Sequence, residues 1–246
     1  MTDQPLVSVV TATYEMGDYV AEAVRSVLAQ DHANLECIVV DDGSTDHTPE
    51  VLAALAAEDP RVQVIRQGNA GQTVAKNRGW RAARGEFLGW CDADNRWRPG
   101  KLRRQLEAFR EHPHVGVVYG DLQLIDGEGC DKETPPIRRY SGQITGKLLI
   151  DNFVTFNTTL LRRSLMEQMG GFDENLRMGI DYDLWLRISV DHEFLHLAEP
   201  LVDYRIWGGQ MSHRTEERME NFFRLLEHFL ATHPDKISAA DARRAW

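Results

Sequence analysis

Cysteine is scarce in this chain. Cys37, Cys91 and Cys130 are its three copies in 246 residues, far apart and with no Cys-x-x-Cys spacing. That excludes a disulfide scaffold and a thiolate metal knuckle. Cys37 and Cys91 lie in apolar runs and read as reduced core residues. Long apolar runs are missing as well. None approaches the roughly 18 residues that span a bilayer, and no early stretch has signal-peptide form. A cytoplasmic chain with no transmembrane segment is expected, with a peripheral position at the inner membrane face left open. Basic excess is absent too: 28 Lys and Arg face 38 Asp and Glu, for a net charge of −10. This disfavours nucleic acid and anionic lipid surfaces as partners. It also means that a polyanionic ligand needs a metal ion or local basic residues. No internal repeat is found. With 42% hydrophobic and 27% charged residues, the composition is that of a globular protein long enough for a full α/β core.

What is present is alternation. Residues 6–13 (LVSVVTAT) are rich in β-branched side chains and read as a buried strand. Asp18 then stands ready to cap a helix carrying Val20, Ala23, Val24, Val27 and Leu28 at helical spacing. Residues 37–40 predict a second strand, and Thr48-Pro49 opens a helix that runs to about residue 58. A strand over 62–65 follows, then a Gly-containing loop and a helix over 73–84 closed by Gly85. The next strand ends at Asp92; Pro99 opens a helix over 100–111, and 115–119 is again strand-like. Strands and helices in this order predict a doubly wound, mostly parallel sheet.

The second half is mixed. Residues 126–143 carry Gly, Pro and charge without periodicity and read as a mobile loop. Helices are expected over 145–151 and 162–169 with a strand over 157–161 between them. A helix over 181–190 and strands over 194–197 and 201–206 follow. Near the end, Met219, Phe222, Phe223, Leu226, Phe229 and Leu230 share one face of a helix whose polar side includes Glu216, Glu217, Arg218, Glu220, Arg224 and Glu227. That helix is expected to pack on its own chain or on a second copy, which makes a homodimer a candidate state, rather than on a membrane. One domain fits best, with a half over about 5–120, a second half over about 121–210 and a helical tail over about 211–246.

Several strings carry chemistry. Asp92-Ala93-Asp94 follows the apolar run Phe87 to Cys91. In extended chain, side chains two apart share a face, so these carboxylates could hold a hard divalent cation that ligates phosphate oxygens. A turn or helix cap is the plain alternative. Asp41-Asp42-Gly43-Ser44-Thr45-Asp46 follows the second strand, where parallel sheets bind ligands, although a turn would use the same residues. Lys76 and Arg78 could meet phosphate or orient carboxylates; a solvated basic face is the alternative, more so for Lys76 than for Arg78. His192-Glu193-Phe194-Leu195-His196 matches a zinc-peptidase string, but that chemistry needs both histidines on one helical face, and this stretch reads as strand.

Taken together, the strings resemble the family 2 glycosyltransferases, which have the GT-A fold, across about residues 5–210. The matching stretches are Val7 to Val10 with Thr13-Tyr14, Asp41 to Asp46, Ala75 to Gly79, Gly85-Glu86-Phe87, Asp92-Ala93-Asp94, Gly170 to Glu174, Asp181 to Arg187 and Tyr204-Arg205. The resemblance implies a Rossmann-like, mostly parallel central sheet with a mixed acceptor-side half. It implies inverting transfer of a sugar from a nucleoside diphosphate sugar, most often a UDP-sugar, to an acceptor hydroxyl of a glycan, a lipid-linked or a small molecule. Asp42 or Asp41 would recognise the base, and Thr11 and Thr13 would border the nucleotide. Lys76, Arg78, Asp92, Ala93 and Asp94 would complete the donor site, Asp92 and Asp94 holding Mg²⁺ or Mn²⁺. Asp181 matches the general base. Three positions depart from the family pattern: Ile180 stands where an acidic residue is common, Asn95 where an Asp often follows, and Trp207 where many members carry a His. Trp207 leaves a third protein metal ligand in doubt, with His213 a candidate substitute.

Two other readings stay open. A sugar nucleotidyltransferase shares the alternating layout but should carry a Gly-rich basic loop after the first strand, and residues 11–17 (TATYEMG) are neither. A non-catalytic nucleotide-sugar-binding module would not need Asp92, Asp94 and Asp181 together.

Overall fold

β-Branched runs build the first half of the sheet. In the computed structural model, which describes residues 4–176, 178–208, 215–233 and 236–237, β1 (Val7–Thr13) lies between β2 (Leu35–Asp41) and β4 (Phe87–Trp90). Both neighbours are parallel to it, and β3 (Val62–Arg66) extends the parallel set beyond β2. The connecting helices are α1 (Val20–Leu28), α2 (Thr48–Glu58) and α3 (Gln72–Ala82). Every residue of β2 is buried, as expected for a strand covered by helices on both faces.

The second half turns the sheet mixed. A two-residue β5 (Arg96–Trp97), α4 (Lys101–Glu111) and β6 (Val115–Ile125) follow β4. Then come α5 (Thr145–Leu148), a 3₁₀ turn at Phe156–Thr158, β7 (Leu160–Arg162) and α6 (Arg163–Met169). The chain continues with α7 (Ile180–Ser189), β8 (Glu193–Arg205) and α8 (Thr215–Thr232). Among the described residues the eight strands run in the order β3-β2-β1-β4-β7-β6-β8-β5. β7 is antiparallel to both β4 and β6, β8 is parallel to β6, and β5 is antiparallel to β8. This is the expected parallel sheet with a mixed second half.

Four local expectations are corrected. Asp18 does not cap α1; Tyr19 holds the cap position without a side-chain bond, and Asp18 instead pairs with His47 at 3.3 Å. Gly85 does not close α3. It lies so near β1 that a Cβ there would meet Ser8 N at 2.6 Å, and its own N–H donates to Ser8 Oγ. The two strands expected around Pro200 are one, β8, because register shifts opposite Gly120, Asp121 and Leu122 of β6 absorb the proline. Residues 157–161 begin as the 3₁₀ turn rather than as strand.

Two apolar clusters sandwich the sheet, one including Trp90, Phe156, Trp185 and Phe194, the other Val9, Val24, Trp97 and Phe109. The face of α8 packs on the first: Leu225, Leu226 and Phe229 are buried, and Phe222 stacks on Tyr182 at 5.1 Å between ring centroids. Phe223 is exposed, contrary to its expected place on that face. The side chains of Met219, Glu216, Glu217, Arg218 and Glu220 lie outside those described, and so does His213. Among the described residues no helix is long and apolar enough to cross a membrane.

Candidate active site

The carboxyl ends of β1, β2 and β4 bring the expected donor-side residues together. Asp92-Ala93-Asp94 does not continue β4; it forms a turn in which Asn95 N donates to Asp92 O at 3.0 Å. The two carboxylates are therefore not held by strand alternation, and their neighbours set their directions. Asp92 is clamped by Asn157, whose Oδ1 accepts from Asp92 N at 2.6 Å and whose Nδ2 donates to Asp92 Oδ2 at 2.7 Å. Lys76 Nζ lies 2.9 Å from Asp92 Oδ1 and 4.3 Å from the centroid of the Phe156 ring. Asp94 Oδ2 accepts from Trp207 Nε1 at 3.0 Å, and Arg205 Nε donates to the Asp94 carbonyl at 2.9 Å. Ala93 is buried in the core beneath the turn.

Lys76 and Arg78 of α3 exchange the roles that their sequence suggested. Lys76 is nearly enclosed, with its side chain 8% exposed, whereas Arg78 is exposed and its Nη1 reaches Gln67 Oε1 at 3.4 Å. Residues two apart on a helix diverge by about 200°, so one of them faces the sheet ends while the other faces water. Between them, Asn77 is fully buried and staples α3 to the Gly-Gly-Phe-Asp-Glu string. It donates to Phe172 O at 2.9 Å and Glu174 Oε1 at 2.8 Å and accepts from Phe172 N at 3.0 Å.

Asp41 and Asp42 are both buried. Asp41 Oδ1 accepts from Ser44 N at 2.9 Å, and Oδ2 lies 3.3 Å from Arg66 Nε without hydrogen-bond geometry. Asp42 holds the loop that enters α3, accepting from Gln67 Nε2, Ala70 N and Gly71 N, each at 2.8 Å. Gly43 makes this close approach feasible: its φ is 82°, and a Cβ would meet Asn69 N at 2.8 Å. The Thr11 and Thr13 hydroxyls are buried and find no hydrogen-bond partner among the described residues. Just past Thr13, Tyr14 is 46% exposed beside this end of the sheet.

Asp181 arrives from the other half. Gly179, at φ 73°, caps α7 in the left-handed region, so Asp181 stands in the first turn rather than at the cap. Burial pushes its carboxyl above the usual carboxylate range, while backbone N–H bonds, Asn152 and the nearby Lys76 charge pull it back. Asn152 Nδ2 donates to Asp181 Oδ2 at 3.2 Å. One six-residue segment, 152–157, thus holds Asp181 at its first residue and Asp92 at its last. Sequence reasoning missed Asn152 and Asn157. Neither follows a spacing rule, and only their contacts identify them.

His192 and His196 do not converge. They turn to Gln168 Oε1 and Asp121 Oδ1, at 3.1 and 2.9 Å, the first from just before β8 and the second from within it. Among the described residues no three His, Cys, Asp or Glu side chains cluster as a metal site. Two carboxylates nevertheless fit a hard cation that takes its remaining ligands from phosphate oxygens, the usual arrangement for Mg²⁺.

Residues 8–170 match the family described as glycosyl transferase family 2. The chain belongs to that family. It is 38% identical over 215 residues to TuaG of Bacillus subtilis, named as a teichuronic acid biosynthesis glycosyltransferase, covering 85% of this chain and 82% of that one. Some relatives are longer: this family 2 chain spans 38% of one and 73% of another. Among solved structures it is similar to Staphylococcus aureus TarS residues 1–349 in complex with UDP-GlcNAc. The TM-score is 0.79 at 19% identity, over 97% of this chain and 70% of that one. It is also similar to the mannosyltransferase PcManGT of Pyrobaculum calidifontis in complex with GDP-Man and Mn²⁺, with a TM-score of 0.73 at 20% identity, over 99% and 69%. These likenesses establish the GT-A fold.

Proposed function

We propose that the chain is an inverting glycosyltransferase that moves a sugar from a nucleoside diphosphate sugar, in the first instance a UDP-sugar, to an acceptor hydroxyl. The observation that carries this reading is the 152–157 segment, which ties the Asp181 carboxylate to the Asp92 carboxylate and its Lys76 partner. A base and a phosphate-binding group are what such a transfer needs side by side.

In this reading Tyr14 offers its exposed ring to the base, while the Thr11 and Thr13 hydroxyls and Asp41 border the nucleoside. Asp42 acts by shaping the loop before α3, since its carboxylate already accepts three bonds there. Lys76 brings positive charge to the diphosphate in a chain that is acidic overall. Asp92 and Asp94 would hold Mg²⁺ or Mn²⁺, which when bound neutralises charge on the departing diphosphate. Asp181 takes the acceptor's proton as its oxygen attacks the anomeric carbon. Its raised affinity for a proton, from burial, suits a base working near neutral pH. A nucleotidyltransferase is disfavoured, because the loop after β1 carries Glu15 and is tied to residues 44–48 instead of lying open for a triphosphate.

Calorimetry with UDP and GDP, in Mn²⁺ and in EDTA, tests the donor site, and proton NMR of the transferred anomer tests inversion. Metal-strengthened binding of one nucleotide and an inverted product are expected. Equal affinity with and without metal would defeat the metal assignment, and a retained anomer would defeat the base.

A further inference from the structure

A second cleft, of about 340 Å³, opens on the acceptor side of the sheet, between the middle of β6 and residues 134–139. Its size falls at the lower end of the roughly 300–1,000 Å³ range of small-molecule sites, room for one sugar ring rather than a nucleotide. Asp121 and Arg139 supply its charge, and Pro135, Pro136, Ile137 and Pro200 supply apolar wall. The Arg139 side chain is 2% exposed yet lines the cleft. Its Nε lies 2.7 Å from Asp121 Oδ1, which also meets His196 Nε2 at 2.9 Å. Its Nη1 donates to Phe153 O and lies 3.4 Å from Thr155 Oγ1.

The Nε approach is an ion pair without hydrogen-bond geometry, so the hydrogen bonds use Asp121 Oδ1, toward His196, and Arg139 Nη1. Asp121 Oδ2 and Arg139 Nη2 make no hydrogen bond among the described residues, so the pair keeps both acceptor and donor capacity at the cleft. A sugar diol matches that pair: each hydroxyl both donates and accepts, so one can give to the carboxylate while its neighbour accepts from the guanidinium. The wall fits the same ligand. Pro135, Pro136 and Ile137 are three consecutive exposed apolar residues, Ile137 being 44% exposed, and a pyranose ring has a C–H face to lay against them. The position fits too. Arg139 contacts Phe153, and the preceding residue, Asn152, donates to Asp181.

We propose that this cleft binds a pyranose ring of the acceptor, holding a vicinal diol between Asp121 and Arg139 and orienting the attacking hydroxyl toward Asp181. The proposal rests on the glycosyltransferase reading and names its acceptor class as a glycan or glycoside. No covalent step occurs in the cleft.

Saturation-transfer NMR on the full chain tests it, with methyl β-glucopyranoside, methyl β-galactopyranoside and methyl α-mannopyranoside as probes and UDP binding measured in parallel. At least one glycoside should receive saturation, strongest on ring C–H protons, and Asp121→Asn should reduce it about fivefold or more. Ile137→Asp, at an exposed position that folding does not depend on, should do the same. UDP affinity should stay unchanged in both variants. Saturation of none of the three glycosides, or equal saturation in both variants, overturns the cleft assignment. Absence of UDP binding in the unaltered chain would instead sink the donor reading, so the two failures are distinguishable.

Discussion

Asp181→Asn separates catalysis from stability in opposite directions. The substitution keeps the side-chain shape and an oxygen for the backbone N–H groups of the first α7 turn, but it cannot accept a proton at neutral pH. Loss of a general base lowers turnover by about 10²–10⁴-fold. At about 1.4 kcal/mol per decade, this is roughly 3–5 kcal/mol of transition-state stabilisation. Donor affinity should hardly change, because the lost interaction exists mainly in the transition state. Stability should rise. Burial raises the Asp181 pKa in the folded chain above its ordinary value of 3.8. As pH climbs through the interval between the unfolded and folded values, the unfolded chain has released its proton while the native chain still holds it. Ionisation therefore costs native stability, and above the folded value the loss is complete. The asparagine carries no charge to desolvate, so near pH 8 its melting temperature should exceed that of the unaltered chain. For a domain of this size, relief of 1 kcal/mol corresponds to roughly 2–4 °C. The same raised pKa should place the acid limb of the unaltered enzyme's pH–rate profile above that of an ordinary aspartate. Transfer assays, UDP calorimetry and scanning calorimetry at pH 5 and 8 read these effects. Near-native turnover in Asp181→Asn, or a lower melting temperature at pH 8, would refute the reasoning, and Asp183 would be tested next.

Asn157→Leu removes the clamp on Asp92 and strands its partly buried N–H, which should cost about 1–3 kcal/mol of stability and about tenfold or more in metal-dependent UDP affinity. Unchanged calorimetric affinity in Mn²⁺ would show that Asp92 needs no such positioning. Lys101, fully buried against Gln105 Oε1 and the Trp97 ring, has its ammonium pushed down from 10.5 to about 7 by burial. Between those values the unfolded chain binds the proton that the native chain has lost, so this group makes stability rise with pH from about 7 to 10.5. Urea midpoints across that range should therefore climb less steeply in Lys101→Met, and parallel curves would count against it.

Much of this protein was legible without coordinates. Val9-Val10 and Ile38 to Val40 are apolar and β-branched, and a strand covered on both faces suits them. Thr48-Pro49 opens a helix because proline's missing N–H costs nothing at that point. The same local rules located the Asp42 and Asp92 stretches and the succession of elements, and the family resemblance marked Asp181. Tertiary structure decided the rest. Sequence could not say which of Lys76 and Arg78 turns inward, because that depends on how α3 is rotated against β1 and β2. Nor could it show that Pro200 would be absorbed into β8, because the extra β8 residues that take up the shift are accommodated only by pairing with β6, some eighty residues earlier. Asn152, Asn157 and Arg139 follow no motif; they matter because a folded segment carries them to Asp181, Asp92 and Asp121. Local propensity reaches a few residues along the chain, whereas a site closes across contacts such as the one 65 residues apart between Asp92 and Asn157. Only the packed sheet brings such residues within hydrogen-bond distance.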